Sequence, residues 1–424
     1  MSACPLAPTA TAHADVTGVG AMAVVLAYTP PAFGHLFPFC ALLTEMAGRG
    51  HEIHVRTLAA GVDLCRDLGF KAAPVDARLE DLQPSGAAGV LASANKTVRE
   101  LAERAAAEVG DFQRAVRAAD PDLIIVDANC WGALSAAEAQ SRPWTVFSPF
   151  VPYLRSPGSP PFGAGKRPLT GRWGRVRDWG VGTVTHVVFD RPFRAGMGPV
   201  RTGLGLPAVH SADALLRRAP LLLVTTGKPF EYPHTDWGDS VELIGPAEFD
   251  PRADRPGWLD EIDEPVVLVT TSSVRQADDA LVAAAVAALR DEPVHIVATR
   301  PADEDAGVVR RPGVTMARFV PHSMVLERAV CVVTHGGMGV TQKALSRGIP
   351  VCAVPFGRDQ FEVARRVEVA GRGTRLPARR LTVPRLRSAV RTAMTMTDGA
   401  AAVAAGFAAT GGVGRGADLL ESLL

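Results

Sequence analysis

Residues 334–345 read THGGMGVTQKAL, with three glycines (Gly336, Gly337, Gly339) crowded between a histidine and the start of a helix. The apolar run CVVTH (331–335) leading into them reads as a buried strand, and PVCAVPF (350–356) as the strand that follows. Strand, glycine turn, helix and strand make one βαβ unit, whose ligands sit beyond the carboxyl ends of the strands. Bare backbone at that edge lets a ligand come close, and a helix N-terminus favours negative charge, so a phosphate fits there. The plain alternative is a tight turn that needs glycine for geometry alone. Neither reading explains Lys343, a cation well inside the helix.

Outward from this unit the same rhythm runs through most of the chain. MAVVLAY (22–28), HEIHVRT (51–57), DLIIVDA (122–128) and WTVFSP (144–149) read as strands, separated by the helical patterns 37–50, 62–70 and 131–140. PLLLVTTG (220–227) continues the first set. A second set starts with VELIG (241–245) and includes PVVLVTTSS (265–273), the helix 278–291, PVHIVATR (293–300) and VTMARFV (314–320). Continuous apolar strands alternating with amphipathic helices predict parallel sheets covered on both faces. The expected organisation is a disordered tail over 1–21, a first Rossmann-like domain over 22–228 and a linker over 229–240. A second domain follows over 241–405, with a C-terminal helix in 406–424 that returns to the first domain. The Pro- and Gly-rich stretch 150–206, which carries Tyr153, Phe162, Trp173, Trp179, Phe189 and Phe193, reads as a long irregular binding loop or lid.

The 424 residues are too many for one core and suit two domains. A net charge of +1, from 45 basic and 44 acidic residues, creates no field that would draw nucleic acid or an anionic membrane. The six cysteines are scattered without a C-x-x-C pair, as reduced buried thiols of a cytoplasmic protein would be. No apolar run reaches membrane-spanning length, and the N-terminal segment lacks the basic and apolar regions of a signal peptide. The turn after the first strand, TPPAFGH (29–35), is not G-x-G-x-x-G; FGAGKRP (162–168) is not a P-loop; HEIH (51–54) is not H-E-x-x-H.

RFVPHSMVLERA (318–329), THGGMG (334–339) and PVCAVPFGRDQFEVARR (350–366), taken together, resemble the donor signature of the inverting GT-B glycosyltransferases of family 1, nearest to the bacterial macrolide-glycosyltransferase type. GHLFPFCALLTEMAGRGHEIHV (34–55) is similar to that family's opening motif, so the likeness spans nearly the whole chain from Met22. It implies an α/β GT-B fold, with two Rossmann-like domains facing a cleft. Val320 and His322 then match the loop that holds the nucleobase. His335, Gly336, Gly337, Gly339 and Thr341 match the pyrophosphate cradle, and Ser272 and Ser273 the turn on the phosphates. Asp359 and Gln360 match the pair that binds the donor sugar's hydroxyls. Lys343 stands where many relatives have a ribose-binding glutamate; an ammonium only donates, so it is expected to approach a phosphate or to extend to solvent.

His35 matches the family's general base and Asp127 the carboxylate that orients it. The chemistry is sound without the likeness. An attacking hydroxyl must lose a proton, a near-neutral imidazole can take it, and an aspartate on the far nitrogen fixes the tautomer. The acceptor is expected among Tyr28, Phe33, Trp131, Phe147, Phe150, Tyr153 and Trp173, apolar walls suited to a polyketide-, macrolide- or flavonoid-like aglycone. The expected partners are that small-molecule aglycone and a UDP- or dTDP-linked sugar, with no metal or other cofactor, in a monomer or weak homodimer. Two other readings stand beside it. A hydrolysing nucleotide-sugar epimerase would need acidic groups at the sugar, for which only Asp359 and Glu362 are near. A non-catalytic auxiliary protein would be expected to lose the His–Asp pair or the phosphate glycines.

Overall fold

A computed structural model describes residues 22–82, 90–156, 159–169, 171–272, 278–300 and 307–424. The expected tail 1–21 and Ser273 lie outside these described residues. The first sheet contains β1 (Val24–Tyr28), β2 (Glu52–Thr57), β3 (Lys71–Pro74), β4 (Leu123–Asp127), β5 (Trp144–Ser148), β6 (Leu222–Val224) and β7 (Val241–Leu243), in the order β3-β2-β1-β4-β5-β6-β7. The second contains β8 (Val266–Thr270), β9 (His295–Thr299), β10 (Val309–Arg311), β11 (Val314–Ala317), β12 (Ala329–Thr334), β13 (Val351–Ala353) and β14 (Gly373–Arg375), in the order β10-β11-β9-β8-β12-β13-β14. All pairings are parallel except β10 with β11. The central strands β4, β5, β8 and β9 are buried along their whole length, because helices cover both faces of each sheet.

Strand order reverses between β1 and β4 in the first sheet and between β8 and β12 in the second. Each reversal opens a crevice at the carboxyl ends of the strands, where chains leave in opposite directions. Both candidate clusters follow these strands: His35 after β1, Asp127 at the end of β4, Ser272 after β8 and His335 after β12.

Three expectations are corrected. The strand at 241–243 does not begin the second sheet; it pairs in parallel with β6, Leu222 opposite Val241, and closes the first. Apolar periodicity identifies a strand but not the sheet whose edge it joins. The segment 150–206 is largely helical, with helices Gly171–Thr185 and Arg191–Gly203 joined by a π-helical turn. Packing overrides its poor helix propensity: Phe193 and Met197 are buried in the first-sheet core, on the face also covered by the 30-residue helix Val90–Ala119. In that long helix Leu101, Ala105, Glu108, Phe112 and Ala115 recur at helical spacing on the buried side. The stretch 229–240 is packed rather than a free linker, with Phe230, Glu231, Tyr232 and Trp237 all buried.

The chain's last helix, Gly412–Glu421, lies against Phe33–Gly48 and adds Ala417 and Leu420 to the core on that face of the first sheet. Arg49 pins it through Asp418 (2.7 Å) and Glu421 (2.8 Å). The preceding helix, Thr397–Ala408, belongs to a second-sheet core that also takes in Val151 and Phe230 from the first half.

Candidate active site

Between the two sheets lies a cleft of about 2580 Å³, lined from both halves. A site for one drug-sized ligand usually occupies about 300–1000 Å³, so this cleft has room for two.

In the first half, the helix Phe33–Gly48 begins directly beyond β1 and carries His35 in its first turn. His35 Nδ1 lies 2.8 Å from Asp127 Oδ2, and Asp127 is wholly buried. With Nδ1 engaged, Nε2 is the ring nitrogen left for a substrate. The other carboxylate oxygen of Asp127 accepts the Asn129 backbone N–H at 2.8 Å. Asn129 is held in turn: its carbonyl accepts from Arg104 (2.6 Å) and its side-chain oxygen from the Tyr153 hydroxyl (3.0 Å). Arg104 also donates to Glu108 (2.7 Å), whose second oxygen accepts the Gly132 N–H (2.8 Å). Burial pushes the Glu108 carboxyl pKa up, and the Arg104 charge opposes it. Motif reading passed over Arg104, Glu108 and Asn129. The one available signal was the i,i+4 Arg–Glu pair on the buried side of a helix.

Of the aromatics expected at the acceptor, Phe33, Trp131, Phe150 and Tyr153 line the cleft. Phe150 stands edge-on to His35 (centroids 5.5 Å apart) and Tyr153 packs on Phe150 (5.3 Å). Tyr28, Phe147 and Trp173 do not line it. Tyr28 points into the core and donates its hydroxyl to Asp111 (2.9 Å); Phe147 packs on Phe39. Both are strand residues of a sheet covered on two sides, so their side chains leave the sheet plane and enter the helix layers. Trp173 is 74% exposed on the outer side of its helix.

In the second half, the turn after β12 sets Gly336 at φ +90°, a left-handed conformation suited to glycine, and Gly337 precedes the helix Met338–Ser346. The His335 ring lies over Gly337: a Cβ added there would come 2.6 Å from Nε2, so a side chain would strike the histidine first. Gly339 has open space in front of it. His335 Nδ1 and Thr341 Oγ1 are buried without a hydrogen-bond partner. Burial lowers the His335 pKa, with Asp278 opposing. A helix N-terminus, an open glycine and an unpartnered imidazole nitrogen fit a phosphate oxygen. Ser272 lines the cleft, its N–H held by Asp278 at 2.6 Å. His322 also lines it, bonded to Thr299 (3.1 Å); its pKa is brought down to about 4 by burial and then by Lys343. Gly336, Val320 and Thr341 do not line it, and the Val320 side chain belongs to the core.

Lys343 lines the cleft but does not extend to solvent as one expectation had it. It is buried, and its ammonium donates to the Phe249 carbonyl (2.5 Å) and to Asp250 Oδ1 (2.6 Å). Asp250 Oδ2 accepts the Ser323 N–H (3.1 Å), and Lys343 holds the Asp250 pKa below the usual carboxylate value despite burial. The partner comes from the connection after β7, 93 residues away, which no local motif reports.

Asp359 and Gln360 both line the cleft. Burial raises the Asp359 pKa, opposed by Arg358 and by His35 across the gap. The Gln360 side-chain oxygen accepts the N–H groups of Phe356 (2.9 Å) and Gly357 (3.0 Å), so it holds the loop's shape. Glu362 is engaged by backbone N–H groups and Arg366. That engagement disfavours the acid/base role an epimerase would need. Among the described residues no group of three or more His, Cys, Asp or Glu side chains is placed to hold a metal ion, and no helix is long and apolar enough to cross a membrane.

Two parallel α/β sheets facing a cleft, with a glycine turn in one wall, define the GT-B class of fold. The glycotransferase of kitacinnamycin superposes with a TM-score of 0.72 at 23% identity, over 95% of this chain and 99% of that one. The glycosyltransferase SsfS6 of Streptomyces sp. SF2575, solved with thymidine diphosphate, gives 0.69 at 18% identity, over 94% and 99%. Residues 280–411 match the family described as Erythromycin biosynthesis protein CIII-like, C-terminal domain. The 4'-demethylrebeccamycin synthase of Lentzea aerocolonigenes is 30% identical over 423 residues, covering 94% of this chain and 99% of that protein. The chain belongs to the family 1 glycosyltransferases of the GT-B fold.

Proposed function

We propose that the protein transfers a hexose or deoxyhexose from a UDP- or dTDP-linked donor to a hydroxyl of a lipophilic natural-product aglycone, inverting the anomeric centre. His35 Nε2 takes the acceptor's proton as its oxygen bonds to the anomeric carbon. The bond from that carbon to the diphosphate oxygen breaks in the same displacement, and the nucleoside diphosphate departs. Asp127 holds the imidazole in the tautomer that accepts at Nε2 and stabilises the imidazolium formed. The helix at Met338 and His335 receive the charge on the leaving diphosphate. The naming of the Lentzea relative and the thymidine diphosphate held by SsfS6 support the natural-product and nucleotide parts of the reading. The single observation that carries it is the 2.8 Å His35–Asp127 pair, which faces the glycine turn across one cleft.

The test incubates the purified protein with UDP- and dTDP-glucose, with and without a panel of polyketide and aromatic aglycones, and reads free nucleoside diphosphate and product mass. Aglycone-dependent release together with a glycosylated product is expected. Donor turnover that ignores every aglycone, or none at all while a nucleoside diphosphate binds, would refute the proposal.

A further inference from the structure

The stretch 159–169 belongs to the first half of the chain, but it is fastened to the second. Glu362, in the helix Gln360–Val369, is 3% exposed. Its Oε1 accepts two backbone N–H groups of the first half, from Gly163 and from Gly165, each at 2.8 Å. Its Oε2 accepts from Arg366 at 3.1 Å, and Arg366 also donates to Glu231 at 2.7 Å. Arg365 donates to the Gly165 carbonyl at 2.7 Å, so the stretch is held through donors and an acceptor alike. The approach leaves no slack: Gly165 has φ +53°, and a Cβ there would fall 2.1 Å from the Phe361 carbonyl oxygen.

The fastened stretch is also a wall of the cleft. Phe162 meets Tyr153 edge to face with centroids 4.9 Å apart, Tyr153 packs on Phe150, and Phe150 stands against His35. On the other side of the fastening, Glu362 lies two residues after Gln360, which shapes the loop carrying Asp359. One buried carboxylate thus joins the wall beside the proposed base to the helix that begins at the proposed sugar site.

We propose that Glu362 is a positioning residue that ties this wall to the donor half and keeps water away from the donor sugar until an aglycone is seated. The role rests on the transfer reaction proposed above. Without the tie, water replaces the aglycone: its oxygen bonds to the anomeric carbon, the sugar–phosphate bond breaks, His35 takes the proton and the nucleoside diphosphate leaves. Two backbone N–H groups on one buried carboxylate oxygen are charge-assisted bonds, and they fix the wall's position more firmly than apolar contact alone.

The experiment uses full-length Glu362→Ala, Glu362→Gln and Gly165→Ala, with dTDP and dTDP-glucose as probes. Gly165→Ala dislodges the stretch while leaving Glu362 and Arg366 in place, so it serves even if the alanine variant at 362 folds poorly. Glu362→Gln keeps an oxygen for both N–H groups. Hydrogen exchange over 161–169 should lose protection in Glu362→Ala and Gly165→Ala and keep most of it in Glu362→Gln. Aglycone-free release of glucose from dTDP-glucose should rise about three- to tenfold in the first two, with dTDP affinity within about twofold of wild type. Unchanged exchange in both, or lost protection without faster hydrolysis, overturns the proposal. The exchange result needs no activity, so it judges the tie even if wild type binds no dTDP, an outcome that would sink the donor assignment instead.

Discussion

The two histidines on either side of the cleft are braced to different degrees. Around His35 the pairing runs several residues deep, through Asp127, Asn129, Arg104 and Glu108 to the Gly132 N–H. Around His335 it stops early, with that ring's Nδ1 and Thr341 Oγ1 buried and unpartnered. The difference follows from what each imidazole is proposed to do. A base that moves a proton gains from a tautomer fixed before the substrate arrives, whereas a group that binds an anion can take its hydrogen bond from the ligand.

The sharpest way to break this contrast is to delete each histidine separately. His35→Ala should lower kcat by about 10²–10⁴ on an aliphatic alcohol acceptor while calorimetry finds nucleoside diphosphate affinity unchanged. Near-normal turnover would leave the well-braced wall without its base. A phenol would be a poor probe, since its lower pKa needs less help.

Lys343→Glu should have the next largest effect, on folding rather than turnover. It sets two carboxylates together at Asp250 in a mostly buried site, and thermal or urea unfolding should show a loss of about 2–4 kcal/mol. The charge-swapped double variant Lys343→Glu with Asp250→Lys should recover part of it. No loss would mean that the pair does not brace the second-half wall of the cleft.

His335→Ala should weaken nucleoside diphosphate binding by about tenfold, roughly 1.4 kcal/mol, with little change in acceptor binding. Equal affinity would leave the cradle assignment unsupported and remove one side of the comparison.

Acid offers a gentler probe of the second-half wall. His322 is held near a pKa of about 4 in the folded chain, while the unfolded chain binds its proton near 6.5. The unfolded state therefore carries more protons between these values, and stability should decline as pH falls from about 6.5 to about 4. His322→Gln should make that decline shallower; an identical slope would assign the acid sensitivity to other groups. The smallest effect is expected at Trp173: with its ring in solvent, Trp173→Ala should leave the aglycone profile within about twofold, and a larger change would return that residue to the acceptor wall.

Much of the candidate site was legible because it follows strands. His35, Asp127, Ser272 and His335 sit at or just past strand ends, and in a parallel sheet every such end faces the same edge. Tyr28 and Phe147 were misread for the converse reason, being inside strands whose side chains enter the helix layers. Glu362 was visible only as a nearby acid, because its partners Gly163 and Gly165 are about 200 residues away and offer backbone, which carries no sequence signal.

By itself the sequence determined the alternation of strand and helix, the two parallel sheets and the places where the cleft-lining turns had to fall. Those properties are local: apolar periodicity sets the element, and glycine sets the turn. Only the tertiary structure decided that 241–243 completes the first sheet, that Lys343 pairs with Asp250 and that the wall at 163–165 hangs from Glu362. Each is a contact between groups far apart in the chain, chosen by burial and by the pairing of charges that burial would otherwise leave unsatisfied.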